Sequence, residues 1–189
     1  CEKGAAWQMA LQLLSDMPAV RVAVNHFTLN AAISACEKGG EWRIALQLLS
    51  DMPSLSAVAD TVSFSSAISA CEKVSAWQAA LRLLSAMPLA KVRANTVSLN
   101  AAMSACERGC VWHVALQLLS DMTAAEVRAN VLSCSAAVSA CERIGEWQVA
   151  LQLLSKMPAT TVQVDTITLH KGLRACEKGL RWHEAVLIL

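Results

Sequence analysis

Three sets of polar residues recur at a spacing of 35 residues, and their side chains are suited to hydrogen bonding and charge neutralisation. The first set, the closing residues, contains only Asn and Asp: Asn25, Asp60, Asn95, Asn130 and Asp165. The second set, the first-turn residues, lies five positions further on: Asn30, Ser65, Asn100, Ser135 and His170. The third set, the basic residues, comprises Lys3, Lys38, Lys73, Arg108, Arg143 and Lys178. Each set also has a structural interpretation, because Asx turns precede helices, polar residues start them and cations favour their ends.

The remaining reactive side chains predict no catalytic site, no cofactor and no metal. The four histidines occupy unrelated register positions, and no acidic cluster, Gly-rich phosphate loop or nucleophile constellation recurs. Six of the eight cysteines share one register position: Cys1, Cys36, Cys71, Cys106, Cys141 and Cys176. Equivalent positions of stacked helices lie about 10 Å apart, which is beyond the reach of a disulfide, about 7 Å between Cα atoms. We expect these thiols to be small buried hydrophobes.

The composition predicts a packed protein and excludes two other classes. A hydrophobic content of 55% with a net charge of +1 excludes a disordered tail and a polybasic arm. No stretch approaches the roughly 18 uninterrupted apolar residues of a membrane span. We therefore expect no membrane partner.

The 35-residue register divides the chain into one continuous array of repeats. Tryptophan marks the register without a gap, at Trp7, Trp42, Trp77, Trp112, Trp147 and Trp182. This gives four whole repeats (26–60, 61–95, 96–130 and 131–165), a partial repeat at 1–25 and a truncated one at 166–189. The sequence begins and ends inside a repeat, so we expect it to be part of a longer array.

Each repeat carries two helical patterns and no alternating strand pattern. In 61–95, "SFSSAISACEK" and "WQAALRLLSAM" both place apolar residues at helical spacing. The first helix has a hydroxyl residue as its predicted cap: Thr28, Ser63, Ser98, Ser133 or Thr168. Proline follows the second helix at Pro18, Pro53, Pro88 and Pro158, with Thr123 as the exception. Such short helix pairs must stack to bury their apolar faces, which predicts an all-α, right-handed α-solenoid. We expect the first helices to line one surface of it and the tryptophans to occupy packing positions.

The pattern "TVSLNAAMSACERG…ALQLLSDM" resembles the consensus of the pentatricopeptide repeat family over the whole chain. It shares the 35-residue length, a polar first-turn residue, a basic residue before the turn and "AL" followed by Met. The Cys-Glu pair and the Trp that opens the second helix depart from that consensus. The resemblance implies an RNA-binding superhelix in which each repeat reads one base with its first-turn and closing residues. It also implies a role in organelle RNA processing or expression, in a chloroplast or mitochondrion, with other RNA-processing proteins as further partners.

Side-chain chemistry turns the resemblance into a predicted RNA sequence. Asp only accepts hydrogen bonds and suits U or G, whereas Asn can donate to the bare ring nitrogen of C or A. A small first-turn Ser leaves room for a purine, and the longer Asn fits a pyrimidine. The pairs Asn30 with Asp60, Ser65 with Asn95, Asn100 with Asn130, and Ser135 with Asp165 then read 5′-UAC(or U)G-3′.

Two further sets complete the expected interface. Apolar residues that flank the reading positions would sandwich the bases or belong to the core: Phe27, Val62, Val97, Leu132 and Ile167. Basic residues would line the phosphate path without reading sequence: Lys38, Lys73, Arg108, Arg143 and Lys178.

A protein-binding scaffold is the alternative function. The near-zero net charge favours it, because nucleic-acid binders are usually basic. The restriction of the closing residues to Asn and Asp argues for single-stranded RNA, since a peptide groove does not require that pair in every repeat.

Overall fold

The computed structural model describes residues 5–17, 23–125, 127–157 and 164–180, and these form ten α-helices without a strand. The first helices of the repeats are α2 (His26–Gly39), α4 (Thr61–Lys73), α6 (Thr96–Arg108), α8 (Val131–Ile144) and α10 (Thr166–Lys178). The second helices are α1 (Ala5–Asp16), α3 (Trp42–Asp51), α5 (Trp77–Leu89), α7 (Trp112–Ala124) and α9 (Trp147–Lys156). The predicted all-α, helical-repeat fold is confirmed. Lys3, Pro18, Pro158 and Trp182 lie outside the described residues.

The chain forms two compact units, Cys1–Ala105 and Cys106–Leu189. In the first unit, α2 packs against α1, α3 and α4, and α4 packs against α3 and α5. In the second unit, α8 packs against α7, α9 and α10, and α10 also packs against α9. Successive first helices are therefore in direct contact within each unit.

Small side chains let the first helices approach one another closely. Ala32, Cys36, Ala67 and Cys71 have no more than 2% of their surface exposed. The described cysteines are free thiols, and burial raises the pKa of Cys71, Cys106 and Cys141 to about 11. These thiols stay protonated near neutral pH and serve as packing groups, as the shared register position predicted.

The tryptophans pack at the end of the first helix in the following repeat. All five described indoles are half-buried, and a β-carbon on Gly39 or Gly179 would overlap Trp7 or Trp147 respectively. Trp112 and Trp147 also border the buried cluster around Val138, Cys141 and Ala150. The indoles thus contribute to packing between repeats, as expected.

The predicted helix caps were wrong by three positions. The capping residues are the closing residues, and the hydroxyl residues lie three positions later, inside the first turn. In α4, for example, the Ser63 backbone N–H donates to Asp60 Oδ1 (2.9 Å), while the Asp60 backbone N–H donates to Ser63 Oγ (3.1 Å). This reciprocal capping box satisfies two N–H groups at once, which a hydroxyl residue alone at the cap does not achieve.

The position predicted for proline also differs in one repeat. Pro53 lies after α3, as expected, whereas Pro88 lies in the last turn of α5. So close to the end of a helix, proline removes a single helical hydrogen bond and can be accommodated.

The turn between the two helices has one backbone conformation whatever its sequence. Five residues at the same register position have a left-handed φ, between 55° and 86°: Gly40, Ser75, Cys110, Gly145 and Leu180. Left-handed backbone favours glycine, because a β-carbon crowds the following carbonyl group. The repeats with Ser, Cys and Leu therefore contain local strain that the glycine repeats avoid.

Replacing Ser75 by Gly should consequently stabilise the protein. We expect the free energy of unfolding to rise by about 0.5–1 kcal/mol, since relief of strain exceeds the entropy that glycine adds to the unfolded chain. Urea denaturation followed by circular dichroism measures the change. The matched control, Gly145→Ala, should lower the free energy of unfolding, and a destabilised Ser75→Gly variant would contradict the strain assigned to this turn.

Candidate nucleic-acid interface

The structure brings the first predicted reading pair into direct contact. Asn30 Nδ2 donates to Asp60 Oδ1 over 3.1 Å, although the two residues are 30 positions apart. Ser63 Oγ donates to Asn30 Oδ1 over 2.6 Å and closes a small hydrogen-bonded cluster. The pair is assembled because α2 and α4 are neighbours and because the cap of α4 fixes the Asp60 side chain.

The Asp60 carboxylate is ionised near neutral pH. Partial burial opposes the charge, but hydrogen bonds from Ser63 and Asn30 outweigh it, and the pKa of Asp60 is lowered. An ionised carboxylate only accepts hydrogen bonds. Asp60 therefore has the acceptor character that reading U or G requires.

The second reading pair combines a cap with a buried hydroxyl group. Asn95 Oδ1 accepts a hydrogen bond from the Ser98 backbone N–H over 2.9 Å. Ser65 is buried, and within the described part of the chain its Oγ has no hydrogen-bond partner. A buried hydroxyl without a partner costs about 1–3 kcal/mol. A ligand group that reached Ser65 would remove that cost.

The third reading pair consists of two asparagines at the starts of two first helices. Asn100 lies in the first turn of α6 and is half-buried, while Asn130 is exposed and caps α8. The Asn130 cap has the same form as the others, since Oδ1 accepts from the Ser133 backbone N–H over 3.0 Å.

The fourth reading pair contains a third polar group that sequence reasoning missed. Lys171 Nζ donates to Ser135 Oγ over 2.8 Å. Asp165 caps α10 by accepting from the Thr168 backbone N–H over 2.8 Å. Hydrogen bonds from Thr168 lower the pKa of Asp165, and the positive charge of Lys171 lowers that pKa further. The sequence does contain a signal for Lys171, because the other repeats have Ala or Ser at the equivalent position.

The flanking residues are exposed and not part of the core. Between 57% and 71% of their surface is accessible: Phe27, Val62, Val97, Leu132 and Ile167. In each of these helices, the residue two positions after the flanking residue is buried or half-buried. Packing of the helix therefore does not explain why an apolar side chain recurs at the exposed position. Of the two interpretations of this set, the core interpretation is excluded.

Arg108 is exposed in the last turn of α6, and the other four predicted phosphate-path residues divide into two groups. Lys73 Nζ lies 3.3 Å from Glu37 Oε1 and donates to the Glu37 backbone carbonyl over 2.8 Å, so it neutralises the end of α2. Lys178 Nζ lies 3.9 Å from Glu142 Oε1. Lys38 and Arg143 are exposed side chains. The helix-end interpretation thus holds for Lys73, whereas the phosphate role of Lys38 and Arg143 stays a prediction.

A cavity lies outside the reading pairs, in the second compact unit. It has a volume of about 930 Å³ and lies between α7 and α9. Cys134 lines it at a register position that holds a larger residue in the other repeats: Leu29, Phe64, Leu99 and Leu169. In the same described ranges, no group of His, Cys, Asp or Glu could hold a metal ion, and no helix is long and apolar enough to cross a membrane.

Comparison with known proteins identifies the repeat. The sequence model of the PPR repeat matches residues 27–56, and the other repeats follow the same register. Residues 27–56 are thus similar to the pentatricopeptide repeat (PPR). No curated protein matches the sequence.

Solved PPR structures share the fold of this array. PPR10 from maize superposes with a TM-score of 0.73 at 21% identity, over 96% of this chain and 27% of PPR10. PPR10 bound to an 18-nt psaJ RNA element gives 0.77 at 18% identity, over 97% and 27%. The PPR domain of Arabidopsis thaliana protein-only RNase P 1, in complex with tRNA, gives 0.72 at 15% identity, over 82% of each chain. The array thus spans about a quarter of PPR10, and likeness at these identities concerns the fold alone.

The two groups of basic residues should behave differently on mutation. We expect joint substitution Lys38→Gln and Arg143→Gln to weaken binding to all single-stranded RNAs equally. It should make the slope of log affinity against log salt shallower by about 0.7 for each phosphate group that the variant no longer neutralises. Fluorescence anisotropy titrations at several salt concentrations measure both effects.

Lys73→Gln is the matched control for this prediction. It removes one equally basic side chain whose charge is already engaged by Glu37, so it should change the salt slope less and lower stability slightly. A loss of affinity for one RNA sequence only, in the double variant, would contradict the phosphate role.

Proposed function

We propose that this array binds single-stranded RNA in a sequence-specific manner, with one base read by each repeat. The observation that carries the proposal is the contact between Asn30 and Asp60, beside the exposed flanking residues Phe27 and Val62. The pair offers hydrogen-bonding groups at one place, and the apolar side chains offer surfaces on which a base can stack.

The geometry of the caps supports the proposed division between Asn and Asp. In all five caps, Oδ1 accepts the backbone hydrogen bond. The second atom of the side chain is then a donor, Nδ2, in Asn and an acceptor, Oδ2, in Asp. Asn would donate to the bare ring nitrogen of C or A, and Asp would accept from the N–H of U or G.

Capping alone does not account for the closing residues. Serine caps helices about as well as Asn and Asp do, and threonine and glycine also serve. The five closing residues include only Asn and Asp. A residue that must both cap a helix and present a second polar atom explains this restriction.

The proposed core sequence is 5′-UAC(or U)G-3′, in an orientation parallel to the protein chain. Asn30 with Asp60 would read U, Ser65 with Asn95 would read A, and Asn100 with Asn130 would read C, with U second. Ser135 with Asp165 would read G.

The array would act in organelle RNA processing or expression, in a chloroplast or mitochondrion. This part of the proposal rests on family resemblance. Other RNA-processing proteins would be its further partners, and we assign the array no catalysis of its own.

A protein-binding scaffold is the second candidate function, and the net charge of +1 is the observation that favours it. Selection from a randomised RNA pool distinguishes the two. An RNA binder enriches the core sequence, whereas a protein scaffold enriches none.

Substitution of Asp165 by Asn tests the proposed code most sharply at one repeat. The cap of α10 should survive, because Asn130 caps α8 in the same way. The preferred fourth base should move from G to A while the first three positions stay fixed, with a change in discrimination of about 1–3 kcal/mol. Because four bases bind weakly, the measurement uses this array inside a longer one with repeats of known specificity.

Asn130→Asp is the matched control. It should move the third base from C towards U and leave the fourth at G. An unchanged fourth base in Asp165→Asn, or an equal change at all four positions, would show that Asp165 acts only as a helix cap.

A further inference from the structure

We infer that Lys171 is a third base-reading residue in the site of Ser135 and Asp165, where it selects bases that present a keto oxygen beside a ring N–H group, namely G and U. The inference rests on the proposed function of this pair. It adds to this one site a reading residue that lies in the following repeat.

The sequence singles out Lys171 within its register position. The equivalent residues of the other repeats are small and uncharged: Ala31, Ser66, Ala101 and Ala136. A lysine here adds a positive charge and three hydrogen-bond donors to one repeat only.

The contacts of Lys171 direct its ammonium group towards the reading pair. Nζ lies 2.8 Å from Ser135 Oγ, and the side chain is half-buried. Its charge also acts on Asp165, whose carboxyl pKa it helps to lower. The ammonium group therefore contacts one residue of the pair, Ser135, and its charge favours the ionised form of the other, Asp165.

The other cations of α10 are engaged with a different carboxylate. Arg174 Nε lies 3.2 Å from Glu142 Oε1, and Lys178 Nζ lies 3.9 Å from the same atom. Glu142 is buried and pairs with both of these cations. Lys171 is thus separated in function from the two basic residues that follow it on the helix.

The combined site has a donor beside an acceptor, and this order matches one class of bases. Guanine presents O6 as an acceptor next to the N1 hydrogen, and uracil presents O4 next to the N3 hydrogen. Lys171 would donate to the keto oxygen while Asp165 accepts from the ring N–H. Adenine and cytosine have the opposite order, an amino group beside a bare ring nitrogen, and would place their amino hydrogens against the ammonium group.

Lys171 therefore strengthens the discrimination against A and C. The choice between G and U depends on the size of the site, in which the small Ser135 leaves room for the larger purine. Lys171 also affects the result expected from substitution of Asp165. In an Asp165→Asn variant the preferred base moves from G to A, but Lys171 still opposes adenine, so the preference for A is smaller than in a variant that also lacks Lys171.

The experiment compares four RNAs of equal length that differ only at the fourth base of the core, using fluorescence anisotropy with the same longer array that tests Asp165→Asn. Lys171→Ala introduces the residue found at three equivalent positions, so the fold should tolerate it. We expect the ratio of affinities for G over A to fall about tenfold, the effect of one charge-assisted hydrogen bond. Adding Lys171→Ala to Asp165→Asn should raise the preference for A.

Arg174→Ala is the matched control, since it removes a positive charge from the same helix one turn away. It should leave the ratio of G to A unchanged. Thermal unfolding of each variant confirms that the array remains folded.

The outcomes separate this inference from the function on which it rests. A wild-type chain that prefers G, with the same ratio of G to A in Lys171→Ala, would overturn the role of Lys171 and leave the code intact. Equal weakening for all four RNAs would make Lys171 a phosphate contact and also overturn the inference. A wild-type chain without any preference at the fourth base would overturn the proposed function itself.

Discussion

The hydrogen bond between each closing Asn or Asp and the backbone three residues later is the interaction on which the rest of this structure depends. It occurs at the start of all five first helices, with lengths between 2.8 and 3.0 Å. It satisfies an N–H group that the helix leaves unpaired and fixes the direction of the first helix. At the same time it fixes the closing side chain in one orientation, which is what the proposed reading of a base by this side chain requires.

Close packing of the first helices converts these local caps into paired sites. Small buried residues such as Ala67 and Cys71 allow α2 and α4 to lie side by side, which brings Asn30 to Asp60. A larger side chain at either position would separate the helices and the pair with them. The apolar interior and the polar interface are therefore two consequences of one 35-residue register.

The sequence predicted the helices and the register well, because apolar periodicity and a repeat without gaps are strong signals. It misplaced the cap, since both Asp60 and Ser63 are good capping residues and composition alone does not distinguish them. It left the flanking residues undecided between core and interface, because an apolar side chain at the start of a helix fits both. It could not foresee that Lys171 reaches Ser135 or that Lys73 reaches Glu37, since these contacts depend on how neighbouring helices are placed.

The central claim is that one side chain both caps a helix and reads a base, and Asp60→Asn tests it most directly. Asn preserves the cap, so the free energy of unfolding should change by less than about 0.5 kcal/mol. The variant pair then matches Asn100 with Asn130, and the account predicts that the preferred first base moves from U to C. Equilibrium unfolding and RNA titration of the same preparation give both quantities. An unchanged preference for U with an intact fold would show that the closing residue is a cap and nothing more.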